Sequence, residues 1–451
     1  MKKFTIISTF LLFCVLLSYG QWVWEEAELS KAKSQMGVAY LGSKVFFAGG
    51  FSWATGALET IETYDIETGL TTTDDILSAA RILPDGTTCG TRVFFAGGGI
   101  FPTTFFKQVD IYYSLMDLWD YDNLSEKRFG LSAVSHGSIV LFAGGINLAL
   151  NQSYDIVDVY DTLTGFGTPT YLSLPRGSMG SAVVGDLAVF AGGYDNQSVF
   201  DRVDIYNFTN GQWSTDTLSE ARGFVSATTV GNKVLIAGGF KDGFVPSSRV
   251  DIYDASTSTW STAELSVPRC SDNVFVTVGR YAFFVGGGTF VVDQYIDCSD
   301  VVDVYDSDSN TWSVIHLPVP LVWHSVTTVG NRLVVAGGNT FDGTNWLEHD
   351  RIYILDVGVG INSQAKEDEL FQVYPNPTSQ STTFSYTLKE PVQVVIQIFN
   401  SFGQKVAEPL NACQTKGEQK VTWNAENLPA GIYCYRIQAG KEVGGGKIVK
   451  W

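Results

Sequence analysis

The stretch Lys44-Val-Phe-Phe-Ala-Gly-Gly50 decides the fold, because the chain repeats it. A short apolar strand that ends in two glycines occurs seven times, and its glycines are Gly49, Gly50, Gly97, Gly98, Gly144, Gly145, Gly192, Gly193, Gly238, Gly239, Gly286, Gly287, Gly337 and Gly338. From Gly49 to Gly337 the copies span 288 residues, a period of about 48 residues. A period of this size predicts a fold built from repeated units.

Each unit contains further short strands around the glycine strand. A second strand carries a tyrosine, at Tyr64, Tyr112, Tyr160, Tyr206, Tyr253, Tyr305 and Tyr353, and in four units a tryptophan follows seven residues later, at Trp119, Trp213, Trp260 and Trp312. An alternating apolar run precedes each glycine strand. Four short antiparallel strands at regular spacing, with no helical period, predict an all-β fold whose units are propeller blades.

The spacing of the glycine pair, tyrosine and tryptophan over residues 21–356 resembles the kelch repeat. The resemblance implies a seven-bladed kelch-type β-propeller, a fold that serves as a binding platform and occasionally as an enzyme. The seventh unit lacks a tryptophan strand after Leu355, whereas Trp24-Glu-Glu-Ala-Glu-Leu29 matches Trp260-Ser-Thr-Ala-Glu-Leu265. We therefore expect the N-terminal strand to complete the last blade and remove an exposed edge.

Two charged positions vary together along the repeat. A basic residue stands 16 or 17 residues before the glycine pair, at Lys33, Arg81, Arg128, Arg176, Arg222 and Arg269. An acid stands two residues before the tyrosine, at Glu62, Asp110, Asp158, Asp204, Asp251 and Asp303, and the seventh unit has Leu321 and Arg351 instead. This joint variation predicts buried ion pairs. The alternative is a cationic ring at the channel mouth, in which Arg128, Arg176 and Arg222 face a ligand.

Loops of variable length follow the glycine pairs and carry aromatic residues. The candidate binding residues there are Trp53, Phe101, Phe105, Tyr154, Tyr194, Phe244, Tyr295 and Trp346. Exposed aromatic rings suit stacking on sugars or anchoring a peptide. The alternative is that these rings pack between blades.

The sequence favours a non-catalytic binding protein for a glycan or protein ligand. The alternative is a carbohydrate-active or oxidative enzyme, like the copper-radical oxidases and sialic-acid isomerases among kelch propellers. The chain has four histidines, His136, His316, His324 and His349, none with paired metal-ligand spacing. We therefore expect no catalytic residue, metal or cofactor.

The repeat stops after Asp356, and a polar linker at residues 357–370 leads to a predicted small β-sandwich at 371–451. Its motifs include Pro375, Asn376, Pro377, Gly403, Gly431 and Tyr433. They resemble the C-terminal sorting domain (type A, Por) of the type IX secretion system. The resemblance implies that the secretion machinery of a Bacteroidetes-type bacterium exports the protein, which is then released or surface-attached. The alternative is an ordinary adhesive sandwich.

Charge and cysteines restrict the setting further. Residues 1–20 are predicted to be a secretory signal, with Lys2 and Lys3 before an apolar run too short for a confident membrane span. The formal charge of −18 argues against a nucleic-acid partner. In an exported chain Cys270 could pair with Cys298, and Cys413 with Cys434, which leaves Cys89 as a buried thiol. We expect a monomer.

Overall fold

A computed structural model describes residues 22–270, 274–291, 295–358, 371–388, 390–400, 405–426, 428–429, 431–440 and 442–450. The predicted signal at 1–20, most of the linker and Gly403 lie outside the described residues. Of the described residues 62% are strand, and they contain one short 3-10 helix, Leu148–Leu150. It divides into two compact units after Val357. The all-β class is therefore as predicted.

Within its described residues the first unit contains seven antiparallel sheets of four or five strands, which we number along the chain, and five two-stranded hairpins. Their strands, from inner to outer, are Gly37–Leu41, Lys44–Ala48, Thr60–Asp65 and Leu70–Ile76 (sheet 1); Asp85–Cys89, Arg92–Ala96, Gln108–Tyr113 and Leu118–Asn123 (sheet 2); Ser132–His136, Ile139–Ala143, Ile156–Asp161, then Gly165–Phe166 with Thr170–Tyr171 (sheet 3); Gly180–Val184, Leu187–Ala191, Arg202–Asn207 and Gln212–Thr217 (sheet 4); Ser226–Val230, Lys233–Ala237, Arg249–Asp254 and Thr259–Glu264 (sheet 5); Phe275–Val278, Tyr281–Val285, Tyr295–Asp306 and Thr311–Leu321 (sheet 6); and Ser325–Val329, Arg332–Ala336, Arg351–Asp356 and Trp24–Glu28 (sheet 7).

Short strands follow the glycine pair in six of these sheets and carry the variable loops. They pair as Phe51–Ser52 with Gly56–Ala57, Gly99–Ile100 with Thr104–Phe105, Ile146–Asn147 with Gln152–Ser153, Phe240–Lys241 with Val245–Pro246, Gly288–Val291 with the start of Tyr295–Asp306, and Asn339–Phe341 with Trp346–Glu348. In sheet 4 the same place has an isolated bridge between Tyr194 and Val199. These hairpins lie next to the glycine pairs and therefore near the inner ends of the sheets.

The register of sheet 7 corrects the alignment of the last repeat. In sheet 5, Tyr253 lies opposite Val234 and Trp260. The matching place in sheet 7 is held by Leu355, opposite Leu333 and Trp24. Tyr353 lies two residues earlier and takes the place of the acid, so its assignment as the seventh tyrosine, with Arg351 at the acid position, is wrong by two residues. Trp24 does occupy the tryptophan position.

Neighbouring sheets pack face to face through their apolar residues. The inner strand of each sheet contacts the inner strand of the next, and Ser325–Val329 of sheet 7 contacts Gly37–Leu41 of sheet 1. Sheets 7 and 1 also share a buried cluster that includes Phe47, Val334 and Ile352. The glycine strands form the middle of the core, where their apolar side chains are almost completely buried.

The second unit is a pair of sheets, each described by its own strands. One contains Phe371–Tyr374, Ser381–Leu388 and Gly417–Asn424, and the other contains Lys405–Gln414, Val392–Phe399, Gly431–Ala439 and Glu442–Lys450. Their buried cluster includes Phe384, Ile396 and Trp423. Among the motif residues, Asn376 accepts a hydrogen bond through Oδ1 from the Val449 N–H at 2.9 Å, and Tyr433 donates one to the Pro429 carbonyl at 2.8 Å.

The proposed Cys413–Cys434 disulfide is wrong. Both thiols are exposed and unbridged. Cys413 lies opposite Gln393, whereas Cys434 lies opposite Phe399 on the other side of the same strand. Because residues rise about 3.4 Å each along a strand, six positions separate the two cysteines by about 20 Å, far beyond bonding distance.

Candidate functional site

Seven eight-residue segments connect the sheets, and we call them the junctions. They are residues 29–36, 77–84, 124–131, 172–179, 218–225, 265–272 and 317–324. Each begins with leucine, and six continue with serine and carry Lys or Arg at the fifth position. Each junction precedes an inner strand, so equivalent junction residues recur at equivalent places around the sheets.

Junction 172–179 illustrates how a basic residue connects two sheets. Arg176 Nη2 lies 2.7 Å from Asp204 Oδ2 of sheet 4, while its carbonyl accepts a hydrogen bond from the Gly145 N–H of sheet 3 at 2.9 Å. The Ser173 N–H donates to the same carboxylate at 3.0 Å. One residue therefore attaches to the sheet before it through its backbone and to the sheet after it through its side chain.

The same ion pair recurs at six junctions. The closest N–O distances are 2.9 Å for Lys33–Glu62, 2.7 Å for Arg128–Asp158, 2.5 Å for Arg222–Asp251 and 2.7 Å for Arg269–Asp303, and Arg81 also contacts Asp110. In each case the carboxylate also accepts a hydrogen bond from the backbone N–H of the junction serine. The buried ion pairs predicted from the joint variation are therefore present.

The burial of these ion pairs decides whether their basic side chains can contact a ligand. The basic side chains are at most 1% exposed. Burial lowers the pKa of the five arginines and of Lys33, and the adjacent carboxylate partly offsets this effect. The assignment of Arg128, Arg176 and Arg222 as ligand-facing residues is wrong, because each is enclosed between sheets and already paired.

The first glycine of each pair is required by the junction that passes over it. Gly144 has a φ of 62°, and a Cβ built there would lie 2.2 Å from the Arg176 carbonyl oxygen. A left-handed φ is costly for other residues, and the carbonyl cannot move without breaking its bond to Gly145. The repeated glycines and repeated basic residues are therefore two parts of one contact.

The junction at residues 317–324 lacks every part of the ion pair. Leu321 replaces the basic residue, and Pro318, which has no N–H, replaces the serine. Tyr353 occupies the acid position, opposite Val335 in the ladder. Leu321 and Tyr353 are both buried. The three changes are consistent, because a carboxylate at this place would have neither its cation nor its backbone donor.

At the six junctions that the structure describes in full, the seventh residue lies at the mouth of one cavity. Gln35, Leu83, Gly130, Ser178, Phe224 and Trp323 all have φ between 48° and 58°, and we call these described residues the mouth ring. Backbone hydrogen bonds join Gln35 N to Trp323 O at 2.8 Å, Leu83 N to Gln35 O at 2.9 Å and Ser178 N to Gly130 O at 2.7 Å. Leucine, phenylalanine and tryptophan rarely adopt a left-handed φ, and such strain clusters at functional sites.

The mouth ring opens into a cavity of about 340 Å³. All seven sheets contribute described residues to its wall. Its titratable side chains are Asp85, Cys270 and His324, of which Asp85 accepts a hydrogen bond from the Ala133 N–H at 2.6 Å. Burial lowers the pKa of His324 to about 4. The remaining wall is neutral, with aromatic rings from Phe129, Phe224, Phe275 and Trp323.

A second cavity of about 310 Å³ lies beside the mouth, where sheets 7, 1 and 2 meet. We call it the seam groove. It is lined by Ser34, Gln35, Phe51, Trp53, Gly56, Ala57, Ile82, Ile100, Phe101, Trp323 and Asn339. Gln35 and Trp323 border both cavities, so the seam groove adjoins the mouth of the first cavity.

The candidate aromatic residues differ in exposure. Trp53 is 57% exposed and Phe244 47% exposed, while Phe101, Tyr194 and Trp346 are half-buried. Phe105 and Tyr154 are wrong as binding candidates, because at 4% and 7% exposure they belong to the packing between hairpins and sheets. The side chain of Tyr295 lies outside the described residues.

Trp323 was missed by the loop argument because it precedes an inner strand instead of following a glycine pair. Its ring lies 5.0 Å from that of Trp346, centroid to centroid, and Trp346 packs in turn on Phe341. The signal that could have found it is its place two residues after the basic position of the repeat.

The second proposed disulfide is also wrong. Cys270 Sγ donates a hydrogen bond to the Gly288 carbonyl at 3.5 Å, and no bridge to Cys298 is formed. Both cysteines pair with Gly288, from opposite sides, through an isolated bridge and a strand ladder. A strand spacing of about 4.8 Å on each side places their Cα atoms roughly 10 Å apart, too far for a bond.

Among the described residues, no group of three or more His, Cys, Asp or Glu side chains is arranged to hold a metal ion. No helix in that part of the chain is long and apolar enough to span a membrane.

Comparison with known proteins identifies both units. Residues 130–338 match the KLHDC2/KLHL20/DRC7 Kelch-repeats domain, and residues 372–450 match the Secretion system C-terminal sorting domain. A solved structure titled "Structure of YjhT" is similar over 64% of this chain and 99% of its own, at 13% sequence identity and a TM-score of 0.50. No curated protein sequence matches. The structural likeness supports the fold alone.

Proposed function

Because the chain carries kelch repeats on a β-propeller and a C-terminal sorting domain of the type IX secretion system, it is exported to the cell surface or beyond, and we propose that it is a non-catalytic binding protein there. Its ligand is a glycan or a protein segment held at the channel mouth. The observation that carries this proposal is the cavity of about 340 Å³ to which all seven sheets contribute.

The mouth ring supports a binding role because contacts within the protein hold its residues in place. Head-to-tail backbone hydrogen bonds fix several of its members, and Trp323 is further held by its contact with Trp346. A site that is already ordered loses less conformational entropy on binding. Its aromatic and neutral polar lining suits the apolar face and hydroxyl groups of a sugar, or an amphipathic peptide side chain.

The same proposal includes a closed propeller of seven blades, formed by residues 21–356, with residues 371–451 as the sorting domain. Lys33 supports closure, because its carbonyl accepts from Gly338 of sheet 7 while its side chain pairs with Glu62 of sheet 1. Sheets 7 and 1 are thus joined by the same contacts that join consecutive sheets. Deleting residues 21–30 should lower the thermal unfolding midpoint sharply, and an unchanged midpoint would contradict closure.

The binding function is tested by presenting the purified full-length protein to glycan and peptide arrays. We expect reproducible binding that falls at least tenfold in Trp323→Ala, with an unfolding midpoint close to that of the parent. Tyr121→Ala is the matched control, since it removes an exposed ring from the outer strand of sheet 2 that lines neither cavity. Equal binding by Trp323→Ala, or no ligand on either array, would overturn the proposal.

A further inference from the structure

The seam groove contains two polar residues at positions that are otherwise mostly apolar or glycine. The sixth junction residue forms an isolated bridge with the residue after each glycine pair. The bridges are Ser34–Phe51, Ile82–Gly99, Phe129–Ile146, Gly177–Tyr194, Gly223–Phe240, Cys270–Gly288 and Val322–Asn339. Tyr194 also carries a hydroxyl group, but it lies outside the seam groove, whereas Ser34 and Asn339 both line that groove.

Both residues carry a buried polar atom without a hydrogen-bond partner. Ser34 is 0% exposed and Asn339 1% exposed, and Ser34 Oγ and Asn339 Oδ1 make no hydrogen bond. Buried polar atoms are normally hydrogen-bonded, so two such atoms in one cavity call for an explanation. The other repeats provide an internal control, because they fill these places mainly with apolar residues or glycine. A ligand that supplies the missing hydrogen bonds is one explanation.

Aromatic side chains form the walls above these two atoms. Trp53 and Phe51 come from the hairpin of sheet 1, Phe101 from that of sheet 2, and Trp323 from the last junction. Glu348 of sheet 7 fixes the sheet 1 hairpin, because its carboxylate accepts hydrogen bonds from Ser52 Oγ at 3.1 Å and the Trp53 N–H at 3.3 Å. The rings are therefore positioned by contacts that join sheets 7 and 1.

The charge of the groove narrows the class of ligand. Its eleven lining residues are all uncharged, and the carboxylate of Glu348 is close by, bonded to the Trp53 N–H. An anionic ligand would meet no cation there. A pyranose has an apolar C–H face that packs on tryptophan and hydroxyl groups that bond to serine and amide oxygens, and a volume near 310 Å³ suits a small ligand.

We propose that the seam groove binds the ring of a neutral pyranose, with Ser34 Oγ and Asn339 Oδ1 bonding its hydroxyls and Trp53 or Trp323 stacking on its face. This inference names a ligand class for the binding function proposed above and rests on it. It also assigns the Ser34 and Asn339 side chains a role as recognition residues.

The test is titration of the purified full-length protein with methyl glycosides of galactose, glucose, mannose and N-acetylglucosamine, followed by tryptophan fluorescence and saturation-transfer NMR. Methyl glucuronide and a capped neutral peptide are the competing probes. We expect saturable binding of at least one neutral glycoside and weaker binding of the glucuronide. Ser34→Ala and Asn339→Leu should each reduce that affinity at least tenfold, while the unfolding midpoint stays equal or rises because an unpaired polar atom is removed.

Tyr121→Ala should leave the affinity within twofold, as the matched control, because this exposed ring lines neither cavity. The inference is overturned if no neutral glycoside binds, if the glucuronide or peptide binds better, or if Ser34→Ala and Asn339→Leu bind like the parent. These failures are distinguishable from failure of the binding function. An array ligand that requires Trp323 but is indifferent to Asn339 leaves the binding function standing and removes the pyranose assignment.

Discussion

Six junctions of the propeller unit are held by buried ion pairs, whereas the junction between sheets 6 and 7 is apolar. At residues 172–179 the carboxylate of Asp204 receives Arg176 and the Ser173 N–H. At residues 317–324 the corresponding places are filled by Tyr353, Leu321 and Pro318. The same backbone contact persists, because Gly287 N still donates to the Leu321 carbonyl at 2.9 Å.

The ion pair is therefore one of two ways to fill the same space between adjacent sheets. Replacing a buried pair by well-packed apolar residues is often neutral, whereas removing one partner leaves an uncompensated charge. The apolar junction also contains a substitution of its own: His324 packs on Gly286, where Met36, Leu131, Met179 and Val225 pack on their glycines in other junctions. The two kinds of junction should therefore respond differently to mutation and to pH.

The largest expected effect comes from breaking one ion pair from one side. Arg176→Leu leaves Asp204 buried without its cation and should lower the free energy of unfolding by about 3–5 kcal/mol. Urea unfolding followed by tryptophan fluorescence would measure it. A loss below about 1 kcal/mol would mean that the pair contributes no more than a surface salt bridge.

Copying the apolar junction into the junction before sheet 4 tests whether the two junction types are equivalent. The triple variant Ser173→Pro, Arg176→Leu, Asp204→Tyr reproduces residues 318, 321 and 353 in the junction before sheet 4. We expect it to recover at least half of the stability lost in Arg176→Leu, because no charge or donor is left unpaired. Additive losses from the three substitutions would contradict the equivalence of the two junction types.

The next largest effect is a loss of folding stability at acidic pH, which arises in the apolar junction. Burial lowers the pKa of His324 from 6.5 to about 4 in the folded chain. Between those pH values the unfolded chain binds a proton that the folded chain does not, so stability falls as pH falls from 6.5 towards 4. The loss should reach about 3 kcal/mol, since one pKa unit corresponds to about 1.36 kcal/mol.

His324→Met, which copies Met36 and Met179, is the control for this pH dependence. It should remove about 3 kcal/mol of the acid-induced loss, while the part that arises from protonation of the carboxylates stays. The measurement is the free energy of urea unfolding at pH 7, 5 and 4. Parallel pH profiles for the parent and the variant would show that His324 is not responsible.

A smaller effect is the loss of stability when a glycine is replaced by alanine. Comparing two glycines separates the cost of backbone strain from the cost of steric overlap. Gly144 and Gly137 have nearly equal φ values of 62° and 59°, but a Cβ at Gly137 meets nothing within 4 Å. Gly137→Ala should cost about 1 kcal/mol from the left-handed conformation. Gly144→Ala should cost about 1–3 kcal/mol more, because its Cβ would overlap the Arg176 carbonyl. Equal losses would show that the junction carbonyl moves aside freely.

Much of the fold follows from residues that recur. The glycine pairs, the tyrosines and the tryptophans marked the strands of each sheet, and the joint change of Lys33 with Glu62 indicated the ion pairs. Sheet 7 was misaligned because Tyr353 has an isoleucine before it, like Tyr253, and imitates the true position. Only the ladder, in which Leu355 lies opposite Trp24, reveals the two-residue shift.

The site was harder to predict, because it depends on which side chains the fold leaves uncovered. Phe105 and Trp53 look alike as loop aromatics, yet one is enclosed by neighbouring rings and the other is exposed. Ser34 and Asn339 are unremarkable in the sequence, and their significance appears once all seven bridges are aligned. Trp323 required knowing that the residue two after the basic position lines the mouth.

Under the proposed function, the junction residues hold the sheets together and the mouth-ring residues contact the ligand. The most direct test is the affinity of the strongest array ligand for the parent, for Trp323→Ala and for the triple variant at residues 173, 176 and 204. We predict at least a tenfold loss in Trp323→Ala and less than a twofold change in the triple variant. A folded triple variant that loses binding, together with a Trp323→Ala that keeps it, would contradict the account.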